Sequence, residues 1–200
     1  MIEFFDKVYE GIIATSLWEW LAVLSSILYV FFAAKKNIVC WFFALIASAL
    51  YIYVCFISML YVETILHLFY LVMAVVGWLM WHKSQGIQMD IKTWTRTQHT
   101  INIFCSLIMA VLLGYIFDTY TGQQNPYIDA FTTCYSLAAT YMVTQKVLEN
   151  WLYWIIIDAV SIYLYATRGL ELSALLFFVF ALLAVWGYFS WSKQFKNQLT

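Results

Sequence analysis

The sequence predicts an all-α polytopic membrane protein with seven transmembrane helices. Of its 200 residues, 64% are hydrophobic and only 10% are charged, which is more apolar surface than a soluble chain of this length can bury. A helix needs about 20 apolar residues to cross the hydrocarbon core, and lipid excludes open sheet edges, so long apolar windows must be helices. Seven such windows occur, at residues 18–34, 38–58, 62–81, 100–117, 130–144, 151–166 and 172–191.

The N-terminal segment, residues 1–17, precedes the first window. It carries Glu3, Asp6 and Glu10 against a single Lys7, and no small-residue cleavage pattern follows it. A secretory signal would have a basic start and such a pattern, so we expect this segment to be retained. Its apolar spacing predicts an amphipathic helix over residues 1–14.

The basic residues indicate how the chain lies in an inner membrane. If the seven windows cross the bilayer, Lys7 and Arg168 lie on one side, and eight basic residues lie on the other. Positive charge is retained on the cytoplasmic side, so we expect an external N-terminus, a cytoplasmic loop at 82–99 and a cytoplasmic tail at 192–200. The eight are Lys35, Lys36, Lys83, Lys92, Arg96, Lys146, Lys193 and Lys196.

The sequence contains an internal repeat. Asn37, Trp41 and Ser48 match Asn150, Trp154 and Ser161 at an offset of 113, whereas the segment from 66 to 81 matches 176 to 191 at an offset of 110. These matches predict a three-helix repeat at 18–81, a linking helix at 100–117 and a second repeat at 127–191, with a middle loop three residues shorter. A single linking helix makes the two repeats parallel, with a pathway at their interface.

The sixth window carries the most informative polar group. Trp151, Trp154, Asp158, Ser161 and Tyr165 fall on one helical face, and an acidic side chain inside a membrane is costly. An acid beneath two indoles suits an organic cation, through cation–π attraction and a counter-charge. The alternative is that Asp158 bonds a neighbouring hydroxyl and only fixes helix packing.

Two further faces are candidates for the same site. His67 and Tyr70 share a face of the third window, where a histidine can contact a ligand or can simply pack. The fifth window carries a hydroxyl stripe that either lines the pathway or joins helices: Thr133, Ser136, Thr140 and Thr144.

Enzyme signatures are missing from the chain. It has no GxxxxGK[ST], GxGxxG, HExxH or GxSxG motif, and its three histidines do not cluster with other metal ligands. We therefore expect no enzyme activity, no cofactor, no metal site and no ATP-driven step within this chain. A net charge of −1 without a basic patch also argues against binding of nucleic acid.

The run Pro126-Tyr-Ile-Asp-Ala-Phe-Thr-Thr, the turn Lys146-Val-Leu-Glu-Asn-Trp and above all Trp151-x-x-Trp154-x-x-x-Asp158 resemble the nicotinamide riboside transporter (PnuC) family over nearly the whole chain. The resemblance implies a three-plus-one-plus-three fold shared with the SWEET-like sugar carriers and a homotrimer. It also implies facilitated diffusion of an unphosphorylated vitamin.

Two positions depart from the family pattern. His67 replaces the glutamine of the motif QxxYxxxxxxG, and Ala139-Thr140 replaces the usual Ala-Gln of the fifth helix. Both glutamines are expected to bond substrate, and thiamine-transporting relatives tolerate Ala-Thr, so thiamine remains an alternative to nicotinamide riboside. The predicted substrate-binding residues are Trp151, Trp154, Asp158, Tyr70, His67, Thr140 and Trp41.

Overall fold

The computed structural model describes residues 2–59, 61–83, 91–121 and 124–199, and these residues form eight α-helices. Their order follows the predicted windows, with one helix before them. The helices are α1 (Ile2–Ala14), α2 (Leu17–Ala34), α3 (Val39–Ile57), α4 (Tyr61–Lys83), α5 (Arg96–Tyr120), α6 (Pro126–Thr144), α7 (Asn150–Thr167) and α8 (Glu171–Leu199).

The prediction of a multi-pass membrane protein is confirmed at a coarse level. Five helices, α2, α3, α4, α5 and α8, are long and apolar enough to cross a membrane. Helices α6 and α7 fall short of that criterion, α6 because hydroxyl side chains dilute its apolar content and α7 because it carries Asn150 and Asp158.

Two helices extend further than the sequence predicted. Helix α5 begins at Arg96 instead of residue 100, because Thr95 and Gln98 form a capping box that satisfies the first backbone N–H groups. Helix α8 continues to Leu199, so the segment expected as a separate tail is helical over 192–199. Lysines in this last stretch suit the negative end of the helix dipole.

The helices pack as two triplets, and we call α2–α4 the first triplet and α6–α8 the second. Within each triplet the middle helix contacts both others, and the triplets meet where α2 packs on α8 and α4 packs on α6. Helix α5 packs against α6, and α1 lies on α8, with Gly11 close to Leu172.

A segment before α5 fixes the turn between α6 and α7. The Lys92 N–H donates to the Lys146 carbonyl at 3.1 Å, and the Leu148 N–H donates to the Lys92 carbonyl at 2.8 Å. One turn into α5, His99 Nδ1 lies 3.0 Å from the Tyr153 hydroxyl. These contacts hold the start of α7, the helix that carries the predicted acid.

Backbone features recur in the two triplets at a constant spacing of 110 positions. Lys36 and Lys146 follow the first helices with φ of 56° and 53°, and Met59 and Gly169 follow the second helices with φ of 59° and 69°. The predicted offset of 113 around Trp41 is therefore wrong, as is the shorter middle loop: Trp41 corresponds to Trp151. The error arose because the spacing of four residues from Asn37 to Trp41 also separates Asn150 from Trp154.

Candidate functional site

A cavity of about 410 Å³ lies between the two triplets. Every helix of both triplets contributes to its wall. All seven residues predicted from the sequence line it: Trp41, His67, Tyr70, Thr140, Trp151, Trp154 and Asp158. The structure therefore brings together three faces that the sequence could only describe separately.

Helix α7 supplies the acidic wall of the cavity. Trp154, Asp158, Ser161 and Tyr165 line it on successive turns, as their spacing predicted. Asp158 is 2% exposed, and no Lys or Arg of the described residues forms an ion pair with it. Within the described part of the chain the carboxyl group is thus buried beside open volume without a counter-charge, which is the arrangement that a cationic ligand would complete.

The opposite wall is aromatic. The His67 ring stacks on the Tyr51 ring at 4.6 Å with an interplanar angle of 15°, and it meets Tyr70 edge-on at 5.7 Å. The second triplet holds a comparable pair, in which Tyr165 stacks on Phe177 at 5.1 Å and 12°. Each triplet therefore presents a stacked ring pair to the cavity, but only the first pair carries ring nitrogens.

Most of the hydroxyl stripe of α6 lies on the cavity wall. Thr133, Ser136 and Thr140 line the cavity, whereas Thr144 is fully buried behind it. The Thr140 hydroxyl donates to the Ser136 carbonyl at 2.8 Å, so its proton is used within the helix and its oxygen can still accept.

One end of the cavity is closed by indole rings. Trp41 is 1% exposed and Trp151 is 2% exposed, and each packs against a glycine of the third helix in its own triplet. A Cβ on Gly77 would lie 2.4 Å from the Trp41 ring, and one on Gly187 would lie 2.7 Å from the Trp151 ring. These glycines allow the ring to approach the backbone, which a side chain would prevent.

The other end of the cavity carries acidic groups that the sequence analysis did not assign to the site. Glu63 and Asp129 both line it, and Arg168 forms a bidentate ion pair with Asp129 and also donates to the Gln124 carbonyl. The sequence placed Asp129 only in a family motif. The sequence could not pair Arg168 with Asp129, because it does not show that the end of α7 lies beside the start of α6.

Ser48 and Tyr51 are further wall residues that were not predicted. A signal for Ser48 was present, because at the spacing of 110 it corresponds to Asp158. The offset of 113 hid that correspondence.

Comparison with known proteins places the chain among transporters. A family model described as nicotinamide mononucleotide transporter matches residues 16–193. The chain is 29% identical to the nicotinamide riboside transporter PnuC of Neisseria mucosa, over 89% of this chain and 74% of that protein. It is 28% identical to the same-named protein of Haemophilus influenzae, over 89% and 81%.

A solved structure shares the fold. The crystal structure of the vitamin B3 transporter PnuC superposes with a TM-score of 0.74 at 23% identity, covering 98% of this chain and 91% of that one. Together with the family match over most of the sequence, this shows that the chain belongs to the nicotinamide mononucleotide transporter family and is a multi-pass membrane transporter.

Proposed function

We propose that this protein carries nicotinamide riboside across the membrane. The observation that carries the proposal is the pairing of Asp158 with Trp154 on the wall of a cavity that lies between two helix triplets. A positively charged aromatic ring would stack on the indole and be balanced by the carboxyl group. Relatives over most of the chain are named as nicotinamide riboside transporters.

The charges around the cavity favour the riboside over the mononucleotide. Among the described residues that line it, three are acidic, Glu63, Asp129 and Asp158, and none is Lys or Arg. In this cavity a phosphate group would have no lining cation to neutralise it, and burying an unpaired charge costs roughly several kcal/mol. An unphosphorylated cation meets no such penalty.

The architecture that we propose is seven transmembrane helices in a SWEET-like three-plus-one-plus-three arrangement of parallel repeats. The constant spacing of 110 supports it, as do the paired contacts of α2 with α8 and of α4 with α6. Helices α6 and α7 would also span, because their polar residues line the cavity or, like Asn150 and Thr144, are fully buried.

We further propose that the basic turns lie in the cytoplasm of the inner membrane and that transport is facilitated diffusion by a homotrimer. Lys36, Lys146 and Lys193 lie at the end that the indoles close, whereas Glu63 and Asp129 lie at the other end. Substrate would then enter from outside past the acidic groups, bind beside Trp154, and leave as the triplets rock apart at the basic end.

Calorimetry on the purified protein tests the proposed substrate. Nicotinamide riboside, nicotinamide mononucleotide and thiamine are titrated separately, and the first is expected to bind while the mononucleotide is not. Uptake of labelled riboside into cells that lack their own carrier supplies the transport readout. Binding of thiamine alone would overturn the substrate, and equal binding of the mononucleotide would overturn the charge argument.

A further inference from the structure

Four buried tryptophans form a continuous chain of rings at the basic end of the cavity. Trp81 meets Trp41 edge-on at 5.4 Å and 88°, and Trp191 meets Trp151 in the same way at 5.5 Å and 88°. The Trp81 and Trp191 rings are 6.3 Å apart, so the chain runs from one triplet to the other. None of the four is more than 3% exposed.

Two of these rings also bond across the interface between the triplets. The Trp81 indole N–H, on α4, donates to the Thr144 carbonyl at the end of α6, at 3.2 Å. The Trp191 indole N–H, on α8, donates to the Ala33 carbonyl at the end of α2, at 3.0 Å. Each acceptor lies in the last turn of a helix, and the Ala33 carbonyl also accepts the Lys36 N–H at 2.8 Å.

The two bonds are similar in placement, since each joins the third helix of one triplet to the first helix of the other, and their acceptors differ by one position because Thr144 corresponds to Ala34. Two contacts reinforce them: the Ser190 hydroxyl donates to the Ala34 carbonyl at 2.8 Å, and the Lys146 ammonium lies 4.8 Å from the Trp81 ring centroid. Separating the triplets at this end must break these contacts, whereas bending within a triplet need not.

We propose that Trp81 and Trp191 are paired latches that hold this end of the pathway shut. The proposal rests on the proposed transport function, because only a transporter has to open this end. While the triplets are together, the indole N–H groups of Trp81 and Trp191 donate to these two carbonyls. Once the triplets separate, water replaces the lost bonds, so each latch biases the gate by only a modest factor, which is what a reversible gate requires.

Thiol labelling without any substrate tests the latches. Ser48, on the cavity wall, is replaced by cysteine in a chain whose four native cysteines are alanine, and a membrane-impermeant maleimide is added at the basic face. Lys196→Cys, exposed on the same side, reports that the face is reached equally in every variant. Trp81→Phe and Trp191→Phe keep an aromatic ring and remove the N–H donor together with part of the ring, whereas Ser190→Ala removes a hydrogen bond of the same interface without changing any ring.

Each phenylalanine variant should raise the labelling rate at position 48 by roughly threefold to tenfold, the factor expected for one hydrogen bond, and the double variant should raise it further. Trp78→Phe, on the same helix as Trp81 but 36% exposed, should leave the rate unchanged. Ser190→Ala is a milder variant of the same interface and should raise the rate about twofold to threefold.

The labelling rate could be unchanged in Trp81→Phe, Trp191→Phe and Ser190→Ala while gel filtration shows that each variant is folded. That result would overturn the proposal that Trp81 and Trp191 are latches. So would an equal rise in the control variant Trp78→Phe. Because no substrate is present, a failure of the riboside to bind does not affect this result. Labelling of the Lys196→Cys variant from the opposite face would instead reject the proposed orientation.

Discussion

The two triplets carry the same key residues at the closed end of the cavity and different residues along its walls. At the closed end each has the same tryptophans and glycine, 110 positions apart, with matching backbone turns. Along the cavity the corresponding residues differ in chemistry, so the acid and its indole belong to the second triplet alone. The differing pairs are Ala44 and Trp154, Ser48 and Asp158, His67 and Phe177, and Val30 and Thr140.

The difference separates residues that must be the same in both triplets from residues that can differ. A gate between two similar bodies works by equivalent contacts on both, so its residues are duplicated. A ligand that lacks two-fold symmetry needs different groups on its two sides, so the cavity residues are free to diverge. Variants at equivalent positions in the two triplets can therefore separate the scaffold from the site.

The largest difference is expected at Asp158 and Ser48. Asp158→Ala removes the counter-charge for a cationic ring, and binding of nicotinamide riboside measured by calorimetry should weaken by roughly 10- to 100-fold. Ser48→Ala, at the equivalent position, should change binding by no more than about twofold. Equal affinity in the parent and in Asp158→Ala would show that the carboxyl group serves packing, as the alternative from the sequence holds.

The glycines of the closed end should behave alike. Gly77→Ala and Gly187→Ala each place a methyl group within 2.4 Å and 2.7 Å of a buried indole, so each should destabilise the protein by about 1–3 kcal/mol. Thermal unfolding in detergent measures the loss, and Val75→Ala, on the exposed face of α4, is the control. If only one glycine mattered, the closed end would not be symmetric in its packing.

The sequence predicted the helices well because hydropathy and charge depend on the neighbours of each residue in the chain. It also predicted the face of α7 with Trp154 and Asp158, since that face is set by helical spacing alone. It failed for contacts between residues that are far apart in the sequence, such as the ion pair of Asp129 with Arg168. It failed too in the repeat register around Trp41, where two similar tryptophan spacings competed, and the backbone turns together with the contact with Gly77 distinguish them.

A smaller effect is expected at His67, which replaces a glutamine of the family pattern. His67→Phe gives the first triplet the same kind of ring as Phe177 and preserves the stack on Tyr51, but it removes the ring nitrogens. Riboside affinity should fall about threefold to tenfold through loss of one hydrogen bond, and His67→Gln should restore most of it. Unchanged affinity in His67→Phe would assign His67 to packing.

The smallest effect is expected at Arg168, whose counterpart in the first triplet is Ser58. Arg168 and Asp129 keep only 17% and 13% of their side-chain surface exposed, so removal of Arg168 leaves a largely buried carboxylate without its partner. Because the two side chains bind each other, Arg168→Gln should change riboside uptake by no more than about twofold but should lower the unfolding temperature. Adding Asp129→Asn to it should recover part of that loss, because it removes the carboxylate that was left unpaired. An uptake defect in Arg168→Gln as large as that of Asp158→Ala would place Arg168 on the substrate pathway and make the acidic end, like the cavity, a region where the two triplets differ in function.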